Sequence, residues 1–174
     1  VARHITYMEY PFIYRVHGEP NEEKINTFLN FVSILGHSVH KMKKITPKAM
    51  QELLNELKDV KEYNILSPLL LRSMQKAVYD KTNIGHFGLA SKCYTHFTSP
   101  IRRYPDTTVH RLLRTYLFNK DINIDTINYW DQKLAPLAIH TSERERASIE
   151  CEREVDDMKM AEYMEKHIGE EFTG

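Results

Sequence analysis

The densest chemistry in the sequence lies between His86 and Arg111. This stretch holds His86, His96, Arg102, Arg103, Asp106, His110 and Arg111, interleaved with Phe87, Tyr94, Phe97 and Tyr104. Basic groups beside aromatics suit a nucleic acid, since cations meet phosphates and rings stack on bases. Arg102 and Arg103 carry planar forks that match phosphate oxygens two at a time. Ser99-Pro100 reads as an N-cap with proline at the first helical position, so free backbone N–H groups and the positive end of a helix would sit beside those forks. Both arginines are then expected in that first turn. Composition by itself favours the plainer reading, in which the aromatics are core and both arginines lie in solvent.

Other groups offer less. His37 and His40 form an H-x-x-H pair with no carboxylate or cysteine to complete a metal site. Asp156 and Asp157 read as a solvated helix face. Asp106, His110 and Arg114 are spaced as a surface charge ladder. Glu145, Ser148 and Glu152 make a polar stripe. Cys151 sits on an apolar stripe and reads as core rather than nucleophile. The sequence has no glycine-rich phosphate loop, no G-x-S-x-G and no D-x-D cluster, which leaves no metal ligands to assign.

These residues need elements to hold them. Val1 to Tyr10 reads as the end of a helix stopped by Pro11, and Phe12 to Val16 as a strand. Asn21 caps a helix with Ile25, Phe28, Leu29, Val32 and Leu35 on one face, ended by Gly36. Thr46-Pro47 opens another, with Met50, Leu53, Leu54 and Leu57. Ser67-Pro68 opens a third, with Leu69, Leu70, Met74, Ala77 and Val78 on the buried side. Gly85 to Ala90 and Cys93 to Thr98 read as two short strands.

Pro105 must kink the next segment or restart it as a new helix, whose core face is Val109, Leu112, Leu113, Tyr116 and Leu117. Ile127 to Ala138 reads as helical despite Pro136. Ser142-x-x-Glu145 is a capping box, so a fresh helix is expected there. Its stripe runs Ala147, Cys151, Val155, Met158, Ala161, Met164 and Ile168, and Gly169 ends it. The expected fold is mainly α with a few short β-strands, an α+β class.

The chain has 174 residues, 41% hydrophobic and 28% charged, with 24 Lys+Arg against 24 Asp+Glu. That balance excludes wholesale disorder, a collagen-like chain and a membrane-spanning one. Zero net charge excludes a uniformly basic nucleic-acid coat but hides an asymmetry. Ser142 to Glu171 holds eleven acids and five bases, leaving a basic body and an acidic end. Two cysteines make no disulfide framework and read as reduced thiols, which predicts a cytoplasmic protein. A start at Val1, with no signal sequence, predicts an excised piece.

The run His86-Phe-Gly-Leu-Ala-Ser-Lys-Cys-Tyr-Thr-His-Phe-Thr-Ser-Pro-Ile-Arg-Arg-Tyr-Pro-Asp106, then Val109-His110-Arg111-Leu112, resembles the signature of the ribonuclease II / ribonuclease R family. Pro11-Phe-Ile-Tyr-Arg-Val-His17 with Pro20, Leu70-Leu-Arg-Ser-Met74 with Ala77 and Tyr79, and Ser142-x-x-Glu145-Arg146 with Glu152-Arg153 resemble three further segments of the family. The resemblance spans Val1 to Ile168, and overturns the plainer reading of Arg102 and Arg103. It implies the helical, C-terminal half of an RNB-type catalytic domain over 1–168. Residues 169–174 would begin the join to an S1-type RNA-binding domain.

Family members are processive, Mg2+-dependent 3′→5′ exoribonucleases that act on single-stranded RNA and release nucleoside 5′-monophosphates. The resemblance therefore implies Mg2+ in the parent enzyme, held by aspartates outside this chain. The implied partners are single-stranded RNA, no membrane, and the rest of the parent chain: the N-terminal half of the RNB domain, cold-shock domains and the S1 domain. Arg102 matches a family arginine that acts at the scissile phosphate. Glu152 matches a glutamate near the ribose of the 3′ end. Arg103, Tyr104 and His110 are expected to contact RNA. The implied activity belongs to the parent, the piece alone being inactive. A catalytically inactive RNA-binding module and a purely structural helical domain are the rival readings.

Overall fold

The computed structural model describes residues 1–39 and 44–172. The H-x-x-H expectation therefore falls partly outside them, at His40. His37 itself meets Glu62, with Nε2 at 3.1 Å from a carboxylate oxygen. The fold is mainly helical. Its elements run α1 (Ala2–Tyr7), β1 (Tyr14–Val16), α2 (Glu22–Ile34), α3 (Pro47–Leu57), α4 (Tyr63–Ser73), β2 (Val78–Asp80), α5 (Tyr104–Leu113) and α6 (Ile124–Met164). The sheet is one antiparallel pair, with Tyr14 opposite Asp80, Arg15 opposite Tyr79 and Val16 opposite Val78.

Local chemistry sets the helix starts. Asn21 accepts from the backbone N–H of Glu23 and Lys24, and Thr46 from that of Ala49. Each side chain satisfies donors that a helix start leaves unpaired. α4 departs from expectation. It begins at Tyr63 and carries Pro68 inside it, losing one backbone bond but keeping Leu66 and Leu70 buried. It ends at Met74, so Val78 belongs to β2 instead of the helix.

Two apolar cores result. One joins Ile5, Phe12, Ile13, Tyr14, Val16, Tyr79, Val109, Leu112, Tyr116, Leu134 and Ala138, binding β1 and β2 to α1, α5 and the first half of α6. The other packs α2, α3 and α4 through Ile25, Phe28, Val32, Met50, Leu53, Leu57, Leu66 and Leu70, with Phe87 inserted from the following segment.

The two strands expected between Gly85 and Thr98 do not form. His86 makes single bridges to His17 and Ser91, and Phe87–Leu89 is one turn of 3₁₀ helix. The tight return needs Gly85 at φ +78°, where a β-carbon would meet the Ser91 carbonyl at 3.1 Å.

The capping-box expectation at Ser142 is also overturned: α6 is one continuous helix of 41 residues through Pro136 and Ser142. Ser142 Oγ donates to the Ala138 carbonyl and accepts from the Tyr79 N–H, which fastens α6 to β2. Beyond Ser142 the stripe from Ala147 to Ile168 is exposed, Cys151 included, so it is not core within this chain. No described helix is long and apolar enough to cross a membrane.

Candidate functional site

Pro105 restarts the chain as α5, one of the two outcomes its position allowed. Ser99-Pro100 does not open that helix. Residues 99–103 form a separate turn, in which the N–H groups of Arg102 and Arg103 donate to the Ser99 carbonyl at 3.3 and 3.1 Å. Arg103 is the N-cap position of α5, with Pro105 in the first turn. Neither arginine is inside a helix, contrary to expectation, because the second proline fixes the start five residues later.

This turn forms one wall of a cleft of about 810 Å³. Arg102, Arg103, Tyr104 and Pro105 lie on that side. His140, Thr141, Arg144, Glu145, Ser148 and Ile149 of α6 form the other side, and Tyr79 of β2 lies between. The continuity of α6 across Ser142 is what carries Arg144 and Ser148 opposite the turn.

Tyr79 is 5% exposed and braced on all sides. The Arg15 guanidinium lies 4.6 Å above its ring, and Arg15 Nη1 donates to Glu145 Oε2 at 2.6 Å. The Tyr79 hydroxyl and His96 Nδ1 are 2.9 Å apart. Burial pushes the Tyr79 hydroxyl up to about 12. Burial, together with the cations of Arg103 and Arg15, pushes His96 down to about 4. Near neutral pH both groups are therefore uncharged, and the cleft's charge comes from its arginines and Glu145.

The two adjacent arginines differ. Arg103 Nη2 donates to Asp106 Oδ2 at 2.8 Å, beneath the turn. The Arg102 side chain is exposed and makes no hydrogen bond or ion pair among the described residues, and the same holds for the Arg144 side chain. The cleft is thus lined by two uncommitted guanidinium groups, one from the turn and one from α6, which suits an anion with several oxygens. Asp106, expected on a surface charge ladder, is fully buried instead.

Tyr104 is half exposed at the cleft's edge, its hydroxyl accepting from Arg111 Nη1 at 3.0 Å and its ring lying under the Arg111 guanidinium. His110 is not in the cleft. It opens onto a separate hollow with Arg111, Arg114 and Phe118, and its Nε2 is 2.7 Å from the Phe97 carbonyl. Glu152 is exposed on α6 past the last wall residue, Ile149, and roughly 6 Å along the helix from Ser148. The structure therefore gathers Arg102, Arg103 and Tyr104, and leaves His110 and Glu152 apart.

Sequence reasoning passed over Arg15, Tyr79 and Arg144 as site residues, and placed His96 only within the dense stretch. Arg15 and Tyr79 each fall within a segment of the family resemblance, which was the available signal. Arg144 had none beyond its place beside Ser142.

No group of three or more His, Cys, Asp or Glu among the described residues could hold a metal ion. Asp156 and Asp157 stand exposed on α6. The described residues therefore do not fit Mg2+.

A family model for the RNB domain matches residues 1–119. Ribonuclease R 1 of Lactococcus lactis is 43% identical over 100% of this chain and 21% of its own length. Ribonuclease R of Thermotoga maritima is 45% identical over 99% of this chain and 24% of its own. The structure of Mycoplasma genitalium RNase R in complex with double-stranded RNA is 35% identical, with a TM-score of 0.92, over 99% of this chain and 31% of that one. This chain thus spans between a fifth and a quarter of these curated relatives.

Proposed function

The chain belongs to the RNB-domain family, which ribonuclease R represents among its relatives, and from that premise we propose that it is the RNA-gripping half of a 3′→5′ exoribonuclease. The parent hydrolyses single-stranded RNA processively to nucleoside 5′-monophosphates, in the cytoplasm. The observation that carries this is the pair of arginines with uncommitted side chains, Arg102 and Arg144, that line the same 810 Å³ cleft.

Within that cleft Arg102 sits at the scissile phosphate. A permanently charged fork there stabilises charge as it develops on phosphate oxygens, without reorganising at the moment of reaction. Arg144 grips a neighbouring phosphate from α6. Tyr104 offers the free face of its ring to a base. Arg103 contributes positive potential while anchored to Asp106. His110, Arg111 and Arg114 carry the strand's path beyond the cleft. Glu152 accepts a hydrogen bond from a ribose 2′-hydroxyl, which DNA lacks.

In the parent, carboxylates outside the described residues would hold Mg2+, which would supply water activation and leaving-group stabilisation there. The remaining partners are the N-terminal half of the RNB domain, cold-shock domains and an S1-type domain joined after Ile168. By itself the chain is inactive, since hydrolysis of this kind needs several hard oxygen ligands at one point.

The test uses the full parent chain and 5′-labelled single-stranded RNA with Mg2+. The account expects stepwise shortening from the 3′ end, and salt-dependent binding that weakens when Arg102 and Arg144 are both replaced by Ala. Binding without nucleotide release would favour an inactive RNA-binding module. Absence of any salt-dependent binding would favour a structural role.

A further inference from the structure

Asp106 is the most deeply buried charged group near the cleft. It sits two residues after the start of α5 and is 0% exposed. A carboxylate in the first turn of a helix ordinarily serves its own helix. This one reaches back instead. Its Oδ2 accepts from the Ser99 N–H and from Arg103 Nη2, both at 2.8 Å. Ser99 and Arg103 are the two ends of the turn that presents Arg102.

A neighbour repeats the arrangement. Thr107 Oγ1 donates to the Pro100 carbonyl at 2.8 Å. The Ser99 carbonyl accepts in turn from Arg102 and Arg103 N–H. The turn is therefore tied to α5 at Ser99, Pro100 and Arg103. The side chains it leaves free are Ile101, which is 98% exposed, and Arg102. A fixed backbone carrying one free cation fits a side chain that must meet a target at a set place.

The clamp is not arranged for stability alone. Asp106 Oδ1 and Arg103 Nε are both buried without a hydrogen-bond partner among the described residues. A buried polar atom without a partner is costly, and such groups call for an explanation beyond folding.

We propose that Asp106 is a positioning residue that clamps the Ser99–Arg103 turn and thereby aims Arg102 at the scissile phosphate. This rests on the reading of the cleft as an exoribonuclease site. Both tethers fall on one oxygen, so Asn can keep them with its amide oxygen, whereas Ala removes both at once. Asp106 acts through Arg102, so its loss matters only while Arg102 is present.

The experiment uses the full parent enzyme with Asp106→Ala, Arg102→Ala and the double variant, measured for single-turnover cleavage and RNA binding. Asp106→Ala is expected to lower turnover by about 10- to 100-fold, the scale of a misplaced catalytic group, with RNA affinity within about twofold. In the Arg102→Ala background the same change is expected to cost less than about twofold further. Losses that multiply in the double variant, or a defect confined to binding, overturn the proposal.

Thr107→Val removes a tether without stranding a charge. It should show a smaller loss with the same non-additivity, so a poorly folded Asp106→Ala does not decide the matter. If the unsubstituted parent releases no nucleotides, the nuclease reading fails instead. The clamp is then judged by amide exchange at Ser99 and Arg103, which Asp106→Ala must accelerate, and unchanged exchange overturns it.

Discussion

Arg15 Nη1 lies 2.6 Å from Glu145 Oε2, an ion pair that ties β1 to the middle of α6 across 130 residues of sequence. Both side chains are largely covered, at 13% and 30% exposed. Removing one partner leaves the other charge partly desolvated beside Tyr79. Arg15→Met and Glu145→Gln are each expected to destabilise the fold by about 1–3 kcal/mol. The double variant should lose less than the sum, because the two changes remove one interaction. Urea unfolding of the four proteins checks this, and strictly additive losses would show that the pair does not couple.

His96 makes stability depend on pH in a defined window. Burial, then Arg103 and Arg15, holds its folded-state pKa near 4, against an ordinary value of 6.5. Unfolded chains therefore take up a proton near 6.5 while the folded protein resists until about 4. The stability tied to the neutral ring is full above pH 6.5, is lost as the pH falls toward 4, and changes no further below that. His96→Gln can still accept from the Tyr79 hydroxyl but does not titrate. Its unfolding midpoint should fall less than that of the parent between pH 7 and pH 4.5. An equally steep fall would mean that His96 is not the group responsible.

How far the sequence foretold this site can be read residue by residue. Asn21 and Thr46 cap helices as expected, because a cap is a contact between near neighbours. Ser142-x-x-Glu145 misled for the same reason. It has the spacing of a capping box, but Ser142 bonds back to Ala138 and Glu145 is taken by an arginine from β1. The stripe through Cys151 and Val155 has true helical spacing, yet periodicity shows a face without showing whether anything covers it. Arg102 and Arg103 look equivalent in sequence and differ only through Asp106, whose burial belongs to the fold. The strands expected between Gly85 and Thr98 failed because pairing stops after one residue on each side: His86 exchanges backbone bonds with Ser91, while Gly85 and Phe87 bond His17.

The role proposed for Glu152 is discrimination between RNA and DNA. Its side chain is exposed on α6, with no hydrogen-bond partner among the described residues. The positions one turn away, Ser148, Ile149, Val155 and Asp156, are not basic, so no helical ion pair claims it. In the parent, Glu152→Ala is expected to narrow the preference for RNA over strands with 3′-terminal deoxy sugars by about ten- to a hundredfold. That is the worth of one hydrogen bond to a charged group. Cleavage of matched all-RNA and deoxy-terminated strands reads it directly, and an unchanged ratio would reduce Glu152 to helix surface.

The central claim is that Arg102, left uncommitted by its fold while Arg103 is tied to Asp106, acts on the phosphate during reaction. The most direct measurement is Arg102→Lys in the full parent, by single-turnover kinetics and a binding isotherm on the same RNA. Lys keeps the charge and loses the fork, so a contact strengthened in the transition state is lost while general attraction to phosphate remains. The account predicts a fall in turnover of about 10²–10³ with affinity nearly unchanged. Full turnover with weakened binding would contradict it, and would make Arg102 an ordinary phosphate anchor.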